Sequence, residues 1–134
     1  PIPFEKLKLL KEGKNVDFNN EILKYKDYTK DSPKPRSYAY CADTQYDENL
    51  LPIISNVDLL YHEATFLEQM KERAKKTQHS TAKDAATMAK EANTKRLIIG
   101  HFSARYNEII NFEKEAKSIF ENTIAVNDGD IFEI

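Results

Sequence analysis

The sequence predicts an α/β fold whose sheet is mostly parallel. From residue 37 onward, short apolar runs alternate with stretches of helical periodicity. The run "RLIIGHF" is apolar nearly throughout, as expected of a strand buried on both faces of a parallel sheet. With 134 residues, 40% hydrophobic content and a net charge of −2, the chain can form one compact core, and its charge gives no overall electropositive footprint for nucleic acid.

The first 36 residues differ from the rest, because they are rich in Lys, Asn and Asp and contain only scattered apolar positions. Pro33 and Pro35 disfavour helix and strand pairing, so we interpret residues 1–36 as a linker leading into a folded domain at 37–134. The chain begins Pro-Ile-Pro-Phe without an initiator methionine. We therefore expect the linker to continue from residues upstream.

Two strands and two helical segments are predicted in the first part of the domain. "SYAYCADT" and "VDLLYHEATF" have the β-branched and aromatic content of strands, and "NLLPIISN" supplies the crossover between them. "LEQMKERAKK" reads as a charged, solvent-facing helix. The helix after it should begin at Thr81 as N-cap with Asp84 at N3, a capping-box pattern. Its inner face is formed by alanines at helical spacing, namely Ala82, Ala85, Ala86, Ala89 and Ala92.

The remaining elements follow in the same alternation. "RLIIGHF" is the third strand, and residues 107–121 repeat apolar positions at helical spacing. "TIAVNDG" and "IFEI" predict two short antiparallel strands around an Asn-Asp-Gly turn.

Polar side chains of ligand type stand at the carboxyl end of each predicted strand. Asp43, His62 and His101 follow the first, second and third strands, and such strand ends meet at one edge of an open sheet. His79 precedes a helix N-terminus, where a phosphate is favoured. Convergence of carboxylate and imidazole groups indicates a metal site, with zinc as the metal.

Each of these residues also has a purely structural interpretation. Taken alone, Asp43 is explained as well by capping a turn as by binding a metal. His62 can be a packing residue with Glu63 as its partner, and His79 can be an exposed residue beside an N-cap. His101 after Gly100 is compatible with a strand bulge, and Arg105 with anchoring of the next helix. Their shared placement, rather than any one of them, favours a functional site.

The cysteine content and the distribution of apolar residues bear on the compartment and on membrane association. The single cysteine, Cys41, cannot form a disulfide framework and is typical of a buried core residue in a reducing compartment. No run approaches the roughly 18 apolar residues of a membrane span. We expect a cytoplasmic protein without membrane association.

The blocks "CADT", "LLYHEATF", "HSTAKDAATMAKEA", "LIIGHFSARY" and "AVNDG" together closely resemble the C-terminal half of ribonuclease Z, the tRNA 3′-processing endoribonuclease of the metallo-β-lactamase superfamily. The resemblance covers about residues 37–130. It implies the C-terminal half of an αβ/βα sandwich, with two zinc ions in the complete active site and precursor tRNA as substrate.

The resemblance also implies roles for individual residues. Asp43 and His101 match metal ligands, and His62 and Glu63 match a catalytic pair whose imidazole protonates the leaving 3′ oxygen. His79, Ser80 and Thr81 match a loop that places the tRNA end, and Arg105 belongs to the same substrate-binding set.

The family's "HxHxDH" metal motif is not found in these residues, whose only histidines are His62, His79 and His101. We therefore expect a C-terminal fragment that binds little zinc and has no nuclease activity alone. The missing N-terminal half would normally cover one face of its sheet. Without that half, we expect the uncovered face to drive formation of a homodimer. Two alternatives remain open: half of another phosphodiesterase or esterase of the same fold, and a non-enzymatic α/β interaction module.

Overall fold

The computed structural model describes all 134 residues and divides them into two compact units, residues 1–35 and residues 36–134. The first unit contains helix α1 (Phe4–Lys11), strands β1 (Val16–Phe18) and β2 (Glu21–Leu23), and the short helix α2 (Tyr25–Tyr28). β1 and β2 pair antiparallel across Asn19 and Asn20, whose φ angles of 54° and 63° suit a tight hairpin turn. The segment predicted to be a linker thus contains regular structure, because two adjacent asparagines can both adopt positive φ.

The second unit alternates strands and helices as the sequence predicts. Its elements are β3 (Tyr38–Cys41), a 3-10 turn (Glu48–Leu50), α3 (Leu51–Ile54), β4 (Leu59–Glu63), a 3-10 turn (Glu68–Met70), α4 (Lys71–Thr77), α5 (Ala82–Glu91), β5 (Leu97–Gly100), α6 (Ile110–Lys117) and β6 (Thr123–Ala125). The strands form one sheet in the order β3-β4-β5-β6, with every neighbouring pair parallel. All four carboxyl ends therefore lie along one edge.

One face of this sheet forms the core against α5 and α6. Leu60, Leu97 and Ile99 point to this face and are fully buried. The alanine face of α5 lies against them: Ala82, Ala85, Ala86 and Ala89 have no exposed surface, and small side chains permit this close approach. Thr81 and Asp84 form the predicted capping box, each side chain bonding the other residue's backbone N–H.

The opposite sheet face is aromatic and partly open. Tyr38 and Tyr40 are 47% and 62% exposed, and Tyr40 stacks on Tyr61 with ring centroids 4.4 Å apart. Gly100 lies under the same ring, where an added Cβ would be 2.8 Å from the Tyr61 hydroxyl oxygen. A glycine at position 100 therefore leaves the space that the Tyr61 ring needs.

The predicted C-terminal hairpin is wrong. β6 pairs parallel with β5, the Val126 N–H extends that ladder to the Ile99 carbonyl, and residues 131–134 form no strand. A turn does form, because the Asn127 N–H donates to the Asp130 carboxylate at 2.9 Å. The tail then packs over the open sheet face, where the Phe132 ring centroid lies 5.5 Å from the Arg96 Cζ atom. The helix predicted over 107–121 is also shorter, since α6 spans only Ile110–Lys117.

Regarding membranes, no helix combines the length and apolar character needed to span a bilayer.

Candidate metal centre

Asp43, His79 and His101 meet at the carboxyl edge of the parallel sheet. Each can offer one ligand atom, and these atoms all lie within 4.8 Å of one another. Asp43 Oδ1 is 3.5 Å from His101 Nε2, and the imidazole rings of His79 and His101 are 5.3 Å apart between centroids. The structure thus brings Asp43 and His101 together, as expected from their places after β3 and β5, and adds His79 from the loop between α4 and α5.

The backbone at this cluster is held in an uncommon conformation. Asp43 and His101 have φ angles of 48° and 63°, and Gln78, directly before His79, has a φ of 59°. Non-glycine residues adopt this left-handed region infrequently, at a cost that surrounding contacts must offset. The turns therefore direct all three ligand-type side chains toward one point.

A fully buried carboxylate, Glu63, lies behind the cluster and accepts five hydrogen bonds. Oε1 accepts from the Thr44 N–H at 2.9 Å and from His79 Nδ1 at 2.7 Å. Oε2 accepts from the Thr65 hydroxyl at 2.7 Å, the Thr65 N–H at 3.3 Å and the Ser80 N–H at 3.1 Å. Glu63 thereby links the ends of β3 and β4 to the loop that carries His79.

These bonds set the ionisation state of Glu63. Burial alone would raise its pKa, but the hydrogen bonds from Thr65, His79 and Ser80 more than compensate, so the pKa lies below the usual glutamate value. The carboxylate is consequently negative at neutral pH, although it has no exposed surface.

The same network orients both imidazoles. An ionised carboxylate only accepts, so His79 Nδ1 must carry the proton in its bond to Glu63. The Thr65 hydroxyl gives its one proton to Glu63, so His101 Nδ1 must donate to Thr65 across 3.0 Å. Neutral His79 and His101 then both keep an Nε2 lone pair, next to the carboxylate of Asp43. This is the donor set that a divalent transition metal takes, with the hydrogen-bonded second partner that metal-binding histidines usually have.

The placement of His62 differs from the expectation. His62 and Glu63 are consecutive in β4, so their side chains point to opposite faces of the sheet, and Glu63 pairs with His79 instead. His62 is fully buried on the helix side, where Nδ1 bonds the Glu63 carbonyl oxygen at 2.8 Å and Nε2 has no partner. Burial lowers the pKa of His62 below its usual value. The predicted pairing of His62 with the Glu63 carboxylate is therefore not what the fold produces.

The remaining predicted residues divide into buried supports and one free side chain. Ser80 and Thr81 are fully buried: the Ser80 hydroxyl donates to the Thr44 carbonyl at 2.7 Å, and Thr81 caps α5. Both therefore hold the loop rather than face solvent. Arg105 is exposed, and its guanidinium makes no hydrogen bond or ion pair. Thr65 joins Glu63 to His101, and no motif in the sequence indicates this role.

Comparison with known proteins adds to this geometry. No protein-family model matches the chain. The ribonuclease Z of Porphyromonas gingivalis is 46% identical to it over 128 residues, which are 95% of this chain and 42% of that protein. The chain is related to ribonuclease Z. It spans less than half the length of the ribonuclease Z relatives it matches, and the resemblance inferred from "HEAT", "HST" and "GHFSARY" is confirmed.

Solved structures agree on the fold. A metallo-β-lactamase fold protein from Bacillus subtilis superposes with a TM-score of 0.65 at 28% identity, over 70% of this chain and 38% of that protein. A long-form ribonuclease Z from yeast superposes with a TM-score of 0.59 at 31% identity, over 66% of this chain and 12% of that enzyme. The predicted fold class, α/β with the architecture of half a metallo-β-lactamase domain, is confirmed.

Proposed function

We propose that the chain is part of a cytoplasmic, zinc-dependent endoribonuclease that removes the 3′ trailer from precursor tRNA by phosphodiester hydrolysis. One observation carries this proposal: Asp43, His79 and His101 form a single cluster, and a buried carboxylate orients one of its imidazoles. The relationship to ribonuclease Z supports the choice of RNA as substrate.

In this proposal, Asp43 and His101 hold the metal from this side of the active site. Zinc sites take imidazole nitrogen and carboxylate oxygen, and usually need three or four protein ligands per ion. His62 is on the other sheet face, so further ligands for two ions come from outside these 134 residues. When bound, the zinc supplies charge stabilisation for the phosphoryl oxygens and an activated water.

Proton transfer to the leaving 3′ oxygen is assigned to His79, in place of His62. Glu63 holds the Nδ1–H, so the Nε2 side of the ring faces the cluster and can carry a proton to a departing oxygen. The fixed negative charge of Glu63 stabilises the imidazolium before that transfer, as the buried aspartate does in serine hydrolases. Thr65 and Ser80 position the carboxylate and do not meet the substrate.

The test uses a protein in which this chain is joined to the remaining part of the enzyme. We expect Asp43→Asn and His101→Gln to abolish cleavage of precursor tRNA and weaken zinc binding, whereas His79→Gln slows cleavage about 10²- to 10⁴-fold with zinc retained. His62→Gln should leave the cleavage rate nearly unchanged. Loss of zinc in His79→Gln would instead make His79 a ligand, and precursor cleavage with stoichiometric zinc by the 134 residues alone would refute the fragment proposal.

The partner of the open sheet face is also proposed. Tyr38 and Tyr40 present an aromatic surface that the C-terminal tail covers only in part. We place the remainder of the enzyme on this face, and a second copy of the chain there when the remainder is missing. Sedimentation velocity should then show a dimer of the 134 residues that Tyr40→Ser weakens; a monomer at all concentrations argues against it.

A second candidate is hydrolysis of a different phosphodiester, since the Bacillus subtilis neighbour shares the fold at a TM-score of 0.65. Parallel assays of the joined protein on precursor tRNA and on small phosphodiesters separate the two functions.

A further inference from the structure

A groove of about 570 Å³ adjoins the candidate metal centre on its His79 side. α4 contributes Lys71 and Lys75, and the loop after β3 contributes Gln45 and Tyr46. Its volume is within the range of about 300 to 1,000 Å³ typical of small-ligand pockets. A ligand in the groove would therefore touch the imidazole of His79.

The α4 wall of the groove carries two positive charges. Lys71 and Lys75 are four residues apart, so both side chains project from one face of the helix. Lys71 pairs with Glu68 at 3.1 Å, and Lys75 with Glu72 at 3.6 Å between side chains that are 62% and 84% exposed. The Lys75 pair is well solvated, and such pairs contribute little, so its ammonium group can exchange to an anion. The Lys71 pair is less exposed, at 43% and 30%, but an ammonium group has three N–H donors, so Lys71 can bind an anion while it remains paired with Glu68.

The acidic residue that lines the groove, Asp84, already has a hydrogen-bond partner. The Asp84 carboxylate accepts the Thr81 N–H at 3.0 Å as part of the capping box. It stabilises the start of α5, and its negative charge also acts on Lys71, whose pKa is raised first by the hydrogen bond to Glu68 and further by Asp84.

The opposite wall offers a fixed aromatic ring. The Tyr46 hydroxyl donates to Glu91 at 2.5 Å, and the ring packs partly against the core. This hydrogen bond raises the pKa of Tyr46 to about 12, so the phenol stays neutral. A held, half-exposed ring is a suitable surface for a nucleobase to stack on.

The depression on the other flank of the centre differs in charge. It has a volume of about 400 Å³, and its lining includes His101, Phe102 and Asp128 but no lysine or arginine. Only the His79 flank thus combines cations with an aromatic wall.

We propose that the His79-side groove binds one nucleotide of single-stranded RNA, with Lys71 and Lys75 on its phosphates and Tyr46 against its base. The inference rests on the proposed function and extends it. Because His79 serves the leaving oxygen, the nucleotide in this groove is the one that keeps the new 3′ end.

The test measures binding without cleavage. A fluorescein-labelled RNA hexamer is titrated with the 134-residue chain in EDTA, and anisotropy is followed at several salt concentrations. Lys71→Gln combined with Lys75→Gln should weaken binding about tenfold and flatten the logarithmic salt dependence by about 1.4, because each lost contact to a single strand removes about 0.7. The control pair, Arg73→Gln with Lys76→Gln, removes two charges from the same helix but lines a different depression, and should change affinity less than about twofold.

Three results would overturn the groove assignment. These are absence of binding by the unmodified chain, equal losses in the two double variants, and equal affinity for a morpholino hexamer whose backbone is uncharged. Failure of the joined protein to cut precursor tRNA would instead refute the proposed function while leaving this measurement standing.

Discussion

Replacement of Glu63 by glutamine tests the network that orients both imidazoles. The side chain keeps its size, but one of the two acceptor oxygens becomes an NH₂ group. Three donors converge on Oε2, so the amide oxygen should take that position and place the NH₂ toward Thr44 and His79. The Thr44 N–H then loses its acceptor, and His79 must move its proton to Nε2 in order to accept at Nδ1.

The size of the effect follows from these two changes. Leaving a buried donor without its partner costs about 1 to 3 kcal/mol, and a hydrogen bond to a charged group contributes about 1.5 to 3 kcal/mol. Relief from burying the negative charge offsets part of this loss. We expect Glu63→Gln to lower the free energy of unfolding by about 3 kcal/mol at pH 7.

The pH dependence supplies a second, sharper readout. The folded-state pKa of Glu63 lies below the usual value of 4.5, so the unfolded chain binds more protons than the folded one between these two values. The stability from Glu63 is therefore complete above that usual value and disappears as pH falls through the folded pKa.

Urea unfolding followed by circular dichroism, for the 134 residues at pH 7 and at steps down to pH 3, measures both effects. The exposed Glu121→Gln is the matched control, with an expected change within about 0.5 kcal/mol. A Glu63→Gln variant as stable as the unmodified chain, or a stability gap that persists unchanged to pH 3, would refute the assigned role of Glu63.

Three further predictions concern stability. His62 is buried and its pKa is lowered, so the unfolded chain takes up a proton at this residue as pH falls below about 6.5, and the folded state loses stability by up to about 1.4 kcal/mol per pH unit. His62→Leu should remove this pH-dependent loss of stability when unfolding is compared at pH 7.5 and 5. An equal pH slope in both proteins would contradict it. Gly100→Ala places a Cβ 2.8 Å from the Tyr61 hydroxyl and should cost about 1 to 3 kcal/mol, less in a Tyr61→Phe background; equal costs in the two backgrounds would exclude this contact. Thr81→Ala breaks the capping box and should cost about 1 kcal/mol, while Thr81→Ser retains most of the stability; a larger loss for serine than for alanine would argue against capping.

Much of the second unit could be predicted from the sequence, because its signals are local or periodic. Continuous apolar runs define buried parallel strands, alanines at helical spacing define the inner face of α5, and Thr81 with Asp84 defines its start. The position of Asp43 and His101 at one edge follows from parallel strands alone.

The details that failed depend on geometry that residue types do not encode. Glu63 pairs with His79 because alternation along the strand turns His62 to the other sheet face and because a loop brings His79 back across 16 residues. The adjacency of His62 and Glu63 in the sequence therefore predicted the wrong partner. The left-handed turns at Asp43 and His101 carry no glycine that would have indicated them. The C-terminal "IFEI" has strand-like composition, but its tail packs on the open sheet face instead of extending the sheet.

The left-handed backbone at Asp43 and His101 has a consequence for how such a chain tolerates change. Glycine adopts this conformation without the steric penalty that side chains meet there, so a glycine at either position would relax the turn while deleting a ligand-type group. Selection of variants for thermal resistance alone would accordingly favour well-folded proteins that lack these two ligand-type side chains. Retention of Asp43 and His101 in a robustly stabilised variant would then reflect pressure on chemistry and not on folding.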